Sequence, residues 1–208
     1  MDIEVKIARE IMENITRLKL PLYLDAITEG KGNCFPLALI AQCKRKEIWN
    51  ELPHSVQLLI SEECPTKIRQ AVKQFMLVPK YDIIRNFKNN YEEVLALIDD
   101  LDWYDYWDKM SQDQVWVDST FVQGAAWFLG HDILVVTTSG TKNDPYMRIS
   151  GNFSRENLHS SNTPLIIACK SNSHYQSVLP VNGWMCPATN DYVQGNVNVK
   201  WNVKEESR

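Results

Sequence analysis

The sequence predicts an α+β fold, in which a β-sheet packs against helices. The first two thirds of the chain show helical periodicity interrupted by prolines, and the last third is rich in β-branched residues. Strands are predicted there at residues 132–138, 163–169 and 174–179. Helices followed by strands along the chain are typical of an α+β protein, because the strands then form one sheet that the helices cover.

The N-terminal helix is predicted from about residue 2 to residue 18, because apolar residues recur there every three to four positions. A second helix, over 35–49, has apolar residues on both faces and is expected to be central and buried. Residues 50–101 are predicted to form several short helices, and Asp118 caps a last helix over 118–129. The prolines expected to mark boundaries between the short helices are Pro53, Pro65 and Pro79.

The composition excludes several classes of protein. The chain has 208 residues, with 22 Lys and Arg against 26 Asp and Glu, which gives a net charge of −4. This mild acidity argues against a nucleic-acid binder, which normally carries a basic patch. No stretch approaches the roughly 18 apolar residues of a membrane span. The first residues mix charged and apolar side chains, unlike a secretory signal, so the cytosol is the expected compartment.

The five cysteines indicate thiols in a reducing compartment, because their number is odd and no Cys-x-x-Cys pair occurs. The four histidines are scattered and form no cluster with the spacing of zinc ligands. Neither a metal nor an organic cofactor is therefore predicted. The cysteines are Cys34, Cys43, Cys64, Cys169 and Cys186.

Cys34 follows a glycine-containing turn and precedes the second predicted helix. The N–H groups and dipole at a helix N-terminus stabilise a thiolate, and they can also bind the oxyanion of a tetrahedral intermediate. The small residues of the turn allow these N–H groups to converge. Cys34 is therefore a candidate nucleophile. The alternative is that Cys34 is a small buried apolar residue and the turn an ordinary helix start.

His174 is the candidate general base for this nucleophile, because a thiol needs a base to accept its proton. It begins a predicted strand 140 positions after Cys34. A cysteine on a helix followed much later by a histidine on a strand is the order found in papain-like proteases. The alternative is a surface histidine that follows the polar residues 171–173.

Three segments resemble the ovarian-tumour (OTU) family of deubiquitinating cysteine proteases. Gly32-Asn33-Cys34-Phe35 is similar to the family's nucleophile box, and Ser173-His174-Tyr175-Gln176 to its histidine box. Between them, Trp116-Val117-Asp118 leads an alanine-containing helix and then the apolar strand 133–136, in the order that the family shows. The resemblance covers residues 25–180. Two positions depart from the family pattern: Lys31 replaces the usual aspartate, and Gln176 replaces the usual Asn or Asp.

The resemblance implies a papain-like OTU fold with a central β-sheet packed between helical regions. It implies one domain over 1–208, with an N-terminal helix over 1–20, a catalytic core over 25–180 and a C-terminal extension over 181–208. The weak alternation of residues 196–203 predicts an edge strand in that extension. The two departures suggest a divergent member of the viral or intracellular-bacterial type.

The resemblance also implies roles for seven residues. Cys34, His174 and Gln176 would be catalytic. Lys31, Gly32 and Asn33 would form the oxyanion loop, Lys31 through its backbone, and Tyr175 would border a narrow slot for the Gly-Gly end of ubiquitin. Gln176 would orient His174, since residues i and i+2 of a strand share a face. The alternative is an exposed Gln176, with the third role filled by Asp25 or Glu29.

The function implied is a deubiquitinase that hydrolyses the bond after the C-terminal glycine of ubiquitin or a ubiquitin-like modifier. The expected partners are ubiquitin or polyubiquitin chains, without nucleic acid or membrane, and the protein would be a monomer. It would act in the cytosol, or in the host cytosol if it is a viral or bacterial effector. The alternatives are a non-catalytic ubiquitin-binding module and a host-interaction protein on the same fold.

The acidic and aromatic segment 99–108 has two interpretations. The favoured interpretation is a helix whose Trp103, Tyr106 and Trp107 are core residues and whose acids are solvated. The alternative is a surface that contacts the basic tail of ubiquitin.

Overall fold

The computed structural model describes residues 3–25, 27–29, 31–78, 82–98, 101–137, 145–151, 163–170 and 174–181. Within these residues it has eight helices and five strands, which confirms the α+β prediction. The helices are α1 (Ile3–Arg17), α2 (Cys34–Cys43), α3 (Lys46–Trp49), α4 (His54–Ser61), α5 (Pro65–Leu77), α6 (Asp82–Ile98), α7 (Trp103–Met110) and α8 (Ser119–Leu129). The strands are β1 (Leu22–Leu24), β2 (Ile133–Thr137), β3 (Tyr146–Ile149), β4 (Leu165–Lys170) and β5 (His174–Pro180).

The five strands form one sheet in the order β1-β5-β4-β2-β3. β2 and β4 are parallel, and the other three pairs are antiparallel. β5, which begins with His174, pairs with β4 on one side and with β1 on the other; Lys170 lies opposite His174 and Leu24 lies opposite Val178. The three strands predicted from the sequence are thus present, and β1 and β3 complete the edges.

The sheet is covered on both faces, as the alternation of its side chains requires. One face packs against α1 through a small cluster that includes Ile11, Ile15 and Val178. The other face packs against α2 and α8 through the main core, which includes Phe35, Phe121 and Tyr175. The sheet therefore lies between helical regions, as predicted.

Most predicted helix boundaries are confirmed, and one is wrong. Pro53 precedes α4 and Pro65 is the first residue of α5, while Asp118 caps α8 by accepting a hydrogen bond from the Phe121 N–H at 3.0 Å. A single helix over 35–49 is incorrect: α2 ends at Cys43, and Arg45 is extended before α3. There the Arg45 guanidinium bonds both Gln42 and Glu47, which stabilises the break between the helices.

The aromatic segment forms α7, as the favoured interpretation predicted. Trp103, Tyr106 and Trp107 are buried, and the Trp107 ring packs edge-to-face on each of the other two. The acids of α7 are exposed. The edge strand predicted over 196–203, together with Cys186 and Pro79, lies outside the described residues, and the division of 1–208 into one domain with its subregions stays a prediction.

Candidate active site

Cys34 is the first residue of α2, and its side chain is only 1% exposed. Asn33 occupies the N-cap position, but its side chain does not cap the helix. Pro36 and Leu37 cannot donate a backbone hydrogen bond to a ligand. Pro36 has no N–H, and the Leu37 N–H already bonds the Asn33 carbonyl at 3.0 Å. The N–H groups of Cys34 and Phe35 remain at the nucleophile, in the position from which a helix N-terminus can bind an anion.

The loop before Cys34 packs directly on residues 113–115. Gly32 has a φ of +81°, and a Cβ built on it would lie 2.0 Å from the Gln114 carbonyl oxygen. The Asn33 side chain joins the same segment, donating to Asp113 Oδ1 at 2.7 Å and accepting from the Gln114 N–H at 3.3 Å. Lys31 is exposed, which agrees with a contribution through its backbone; Gly30 lies outside the described residues.

Substitution of Gly32 should therefore destabilise the protein more than an ordinary left-handed glycine would. We expect Gly32→Ala to lower the free energy of unfolding by roughly 2 kcal/mol or more, because both the left-handed backbone and the clash with Gln114 oppose a Cβ. Gly130→Ala is the matched control: Gly130 has a φ of +66°, but a Cβ there meets nothing within 4 Å, so about 1 kcal/mol is expected. Chemical denaturation measures both, and equal losses would show that the contact with Gln114 is unimportant.

Arg69 of α5 supports this loop, a role that sequence reasoning missed. Its side chain is fully buried. Its guanidinium donates to the Gly32 carbonyl at 2.6 Å, the Val115 carbonyl at 2.5 Å and the Met110 carbonyl at 2.8 Å. It also donates to Asn33 Oδ1 at 3.3 Å. In a helical sequence a single arginine is indistinguishable from an exposed residue, so only its contacts in the fold reveal its structural role.

The thiol of Cys34 is protonated in this environment. Burial raises the pKa of Cys34 above its ordinary value, and this effect outweighs the lowering by hydrogen bonds with the backbone of Tyr175 and Phe35 and by the charge of Arg69. Such a thiol needs a base to remove its proton before it can attack a carbonyl.

His174 is the first residue of β5 and is 2% exposed. Burial lowers the pKa of the imidazole, against the opposing effects of Gln176 and Glu4, while Lys170 lowers it further. The imidazole is therefore neutral at pH 7, which is the form that can accept a proton. Neither ring nitrogen reaches a hydrogen-bond partner among the described residues.

β5, the strand that begins with His174, contacts Cys34 through Tyr175. The backbone of Tyr175 hydrogen-bonds the Cys34 thiol, and the Tyr175 ring packs edge-to-face on Phe35 at 5.1 Å. Side chains alternate along β5, so His174 lies on the opposite face of the strand from the Tyr175 ring, beside Lys170 of β4. Within the described part of the chain the thiol and the imidazole form no hydrogen bond. The Tyr175 ring is only 6% exposed, so its backbone is the part that can face a substrate.

Gln176 is fully buried, so the alternative that placed it on the surface is wrong. Its Oε1 accepts from the Thr28 N–H at 3.3 Å and from Thr28 Oγ1 at 3.2 Å. Thr28 Oγ1 also donates to the Tyr175 carbonyl at 2.7 Å. Thr28, which sequence reasoning missed, thus holds both the Tyr175 carbonyl and the side-chain amide of Gln176. Gln176 Nε2 is buried without a partner in the described residues.

The acidic alternatives to Gln176 are Asp25 and Glu29, and neither bonds His174 in the described residues. Asp25 is exposed and accepts a hydrogen bond from Ser177 Oγ at 2.9 Å. Ser177 bonds Gln42 of α2 and lies on the opposite face of β5 from His174 and Gln176. Glu29 is exposed.

In the described part of the chain no group of three His, Cys, Asp or Glu side chains is placed to hold a metal ion. Over the same residues, no helix is both long and apolar enough to cross a bilayer. The described cysteines, Cys34, Cys43, Cys64 and Cys169, are not joined in disulfides.

No protein-family model and no curated protein sequence matches the chain. Solved structures do. The complex of h/ceOTUB1 with ubiquitin aldehyde and UBCH5B~Ub matches with a TM-score of 0.52 at 10% identity, over 83% of this chain and 82% of that one. The OTUD1 OTU domain matches with a TM-score of 0.47 at 15% identity, over 84% of this chain and 98% of that one. The Hazara virus OTU bound to ubiquitin matches with a TM-score of 0.43 at 15% identity, over 78% and 84%.

The match to h/ceOTUB1 shows that this chain has the fold of an OTU domain, in a form divergent in sequence. The papain-like OTU fold predicted from the motifs is therefore confirmed. The roles of Cys34, His174, Gln176, Tyr175 and the oxyanion loop 31–33 stay predictions.

Proposed function

We propose that the protein is a cysteine-type deubiquitinase, with Cys34 as nucleophile and His174 as general base. The observation that carries this proposal is the position of Cys34: a buried thiol at the N-terminus of α2, against the backbone of Tyr175, in a chain with an OTU fold. The substrate would be the amide or isopeptide bond after the C-terminal glycine of ubiquitin or a ubiquitin-like modifier.

The chemistry would proceed through a thioester. Cys34 Sγ attacks the carbonyl carbon of the terminal glycine while the neutral His174 imidazole accepts the thiol proton. The proton passes to the amine as the C–N bond breaks. Water then attacks the thioester with His174 again as base, which releases the glycine carboxylate and restores the thiol. N–H groups at the start of α2 would stabilise the oxyanion in both steps.

Ubiquitin is the proposed partner because the similar h/ceOTUB1 structure is a complex with ubiquitin aldehyde. A narrow slot suits its Gly-Gly end, and it would run between the Tyr175 backbone and the loop 31–33. We further propose that the protein acts as a monomer in the cytosol, or in a host cytosol if it is an effector, on ubiquitin or its chains.

A ubiquitin probe with a C-terminal electrophile tests the proposal directly. We expect the probe to form a covalent adduct with the wild-type protein but not with Cys34→Ala. Cys64→Ala is the matched control, because Cys64 is the most accessible of the described cysteines and its loss should leave labelling intact. Labelling that depends on Cys64, or labelling of Cys34→Ala, would contradict the assignment of the nucleophile.

A second function is a ubiquitin-binding module without turnover. It is favoured by the raised pKa of Cys34 and by the two nitrogens of His174 that lack partners among the described residues. An amide at position 176 also supports an imidazolium less well than a carboxylate would. This alternative predicts a measurable Kd for ubiquitin together with no labelling of Cys34 by the probe.

Gln176 is predicted to orient His174. Gln176→Ala should lower kcat/KM on a ubiquitin substrate by roughly ten to a few hundred fold, because the imidazole loses its amide neighbour. Gln176→Asn should fall between the two, since its amide is one methylene farther from Thr28 and His174. Asp25→Ala should keep most activity, because Asp25 bonds Ser177 on the other face of β5. An unchanged Gln176→Ala beside a crippled Asp25→Ala would move the third role to Asp25.

A further inference from the structure

Arg69 is a buried cation whose hydrogen bonds serve the nucleophile loop. It lies within α5, and none of the four acceptors of its hydrogen bonds described above is charged. Asp113 acts on Arg69 electrostatically, but its carboxylate bonds Asn33 and Thr66. Removing a guanidinium from water is unfavourable unless its donors are satisfied. Arg69 satisfies them with the loop before Cys34 and with residues 110–115 that support it.

The hydrogen bond from Arg69 to the Gly32 carbonyl also sets the direction of the Asn33 N–H. The peptide unit between Gly32 and Asn33 is planar and trans, so its carbonyl and its N–H point in opposite directions. Because Arg69 holds the Gly32 carbonyl, the Asn33 N–H must point away from Arg69. The same guanidinium holds Asn33 Oδ1, which keeps this side chain off the helix N-terminus.

We infer that Arg69 is a positioning residue of the nucleophile loop, whose planar guanidinium orients the Gly32–Asn33 peptide so that the Asn33 N–H can bind the oxyanion; this rests on the proposed function. The charge of Arg69 acts in the same sense, since it lowers the pKa of Cys34. The two effects are separable. Lysine can supply the charge, but a single ammonium cannot reproduce a rigid fork that bonds several carbonyls at once.

The test compares Arg69→Lys and Arg69→Met with Lys73→Met. Lys73 lies one turn farther along α5 and pairs with Asp108, so its loss controls for removal of a cation from the same helix. Three quantities are measured on each folded protein: the kcat and KM for a C-terminal amide of ubiquitin, the pH dependence of Cys34 alkylation by iodoacetamide, followed by mass spectrometry of the Cys34 peptide, and the Tm.

We expect Arg69→Met to lower kcat by about 10²–10³ fold, the usual effect of a lost oxyanion donor, with little change in KM. Its alkylation midpoint should move to higher pH. Arg69→Lys should keep the wild-type alkylation midpoint but lose at least about tenfold in kcat, which separates geometry from charge. Lys73→Met should match the wild type in both. If Arg69→Met does not fold, Arg69→Lys decides.

Wild-type kcat in a folded Arg69→Lys would overturn the inference, as would an unchanged alkylation midpoint in Arg69→Met. Failure of both variants to fold would also overturn it, since Arg69 would then be a residue of the core and not of the site. If the wild-type protein does not hydrolyse the ubiquitin substrate, the proposed function fails. The alkylation midpoint of Arg69→Met still judges Arg69 in that case, because it requires no substrate.

Discussion

A Cys34→Ala protein is expected to lose ubiquitin hydrolysis by about 10⁴ fold or more while it keeps its fold and much of its affinity for ubiquitin. The reason is that the proposed reaction passes through a bond to Sγ, which no neighbouring group can replace. The side chain is small and buried, so alanine fits its place at the start of α2 with little repacking. The measurements are kcat/KM on a C-terminal amide of ubiquitin, the Kd for ubiquitin and the Tm.

Cys169→Ala is a useful second comparison for this experiment. Cys169 is also buried, on β4 opposite Tyr175, so its removal tests whether loss of a buried thiol near the site is enough to reduce activity. We expect it to keep kcat/KM within about threefold. Residual cleavage by Cys34→Ala near the wild-type rate would require a different nucleophile and would contradict the proposed mechanism.

His174→Ala is expected to lower kcat/KM by about 10³–10⁴ fold, because no other group would take the proton of a thiol whose pKa is raised. His131→Ala is the matched control. His131 is equally buried, and burial lowers the pKa of its imidazole as well, but it follows α8 and does not belong to the proposed site. Equal losses in the two variants would indicate a general effect of removing a buried histidine.

The same base should determine the acid limb of the pH profile. Only the neutral imidazole accepts a proton, so kcat/KM should fall as pH falls through the pKa of His174. Burial holds that pKa below its ordinary value of 6.5. The midpoint of the acid limb should therefore lie below pH 6.5, and it should be absent from the residual activity of His174→Ala. A midpoint above pH 6.5 would show that another group controls the proton.

The sequence predicted the interior of the fold better than its edges. β2 and β4 are buried strands rich in Val, Ile and Leu, and this composition is a strong signal. β5 is also largely buried, and its alternating sequence predicted it. β1 has three residues and β3 has four, with exposed side chains such as Tyr23 and Met147. Such short edge strands owe their conformation to pairing with a neighbour, which local sequence does not encode.

The site shows the same division. A glycine turn before Cys34 and the alternation around His174 identified both elements, because each signal lies within a few adjacent residues. Arg69 and Thr28 act through contacts with residues 37 and 148 positions away. On α5 an arginine is an ordinary helix residue, and only the assembled fold makes it a support for the loop. The lack of a hydrogen bond between the thiol and the imidazole in the described residues likewise depends on the face of β5 that His174 occupies, which a motif around His174 does not show.

The pairing of β1 with β5 also bears on how this chain can vary in length. Thr28 and Gln176 are 148 positions apart, and every described helix from α2 to α8 belongs to the loop that their contact closes. The entropy lost on closing a loop grows only slowly with its length, by about 0.6 kcal/mol for each doubling. Surface turns between those helices can therefore gain or lose residues at little thermodynamic cost. Cys34 lies six residues after Thr28 and His174 lies two residues before Gln176, so such changes in length leave the segments that carry both residues in place.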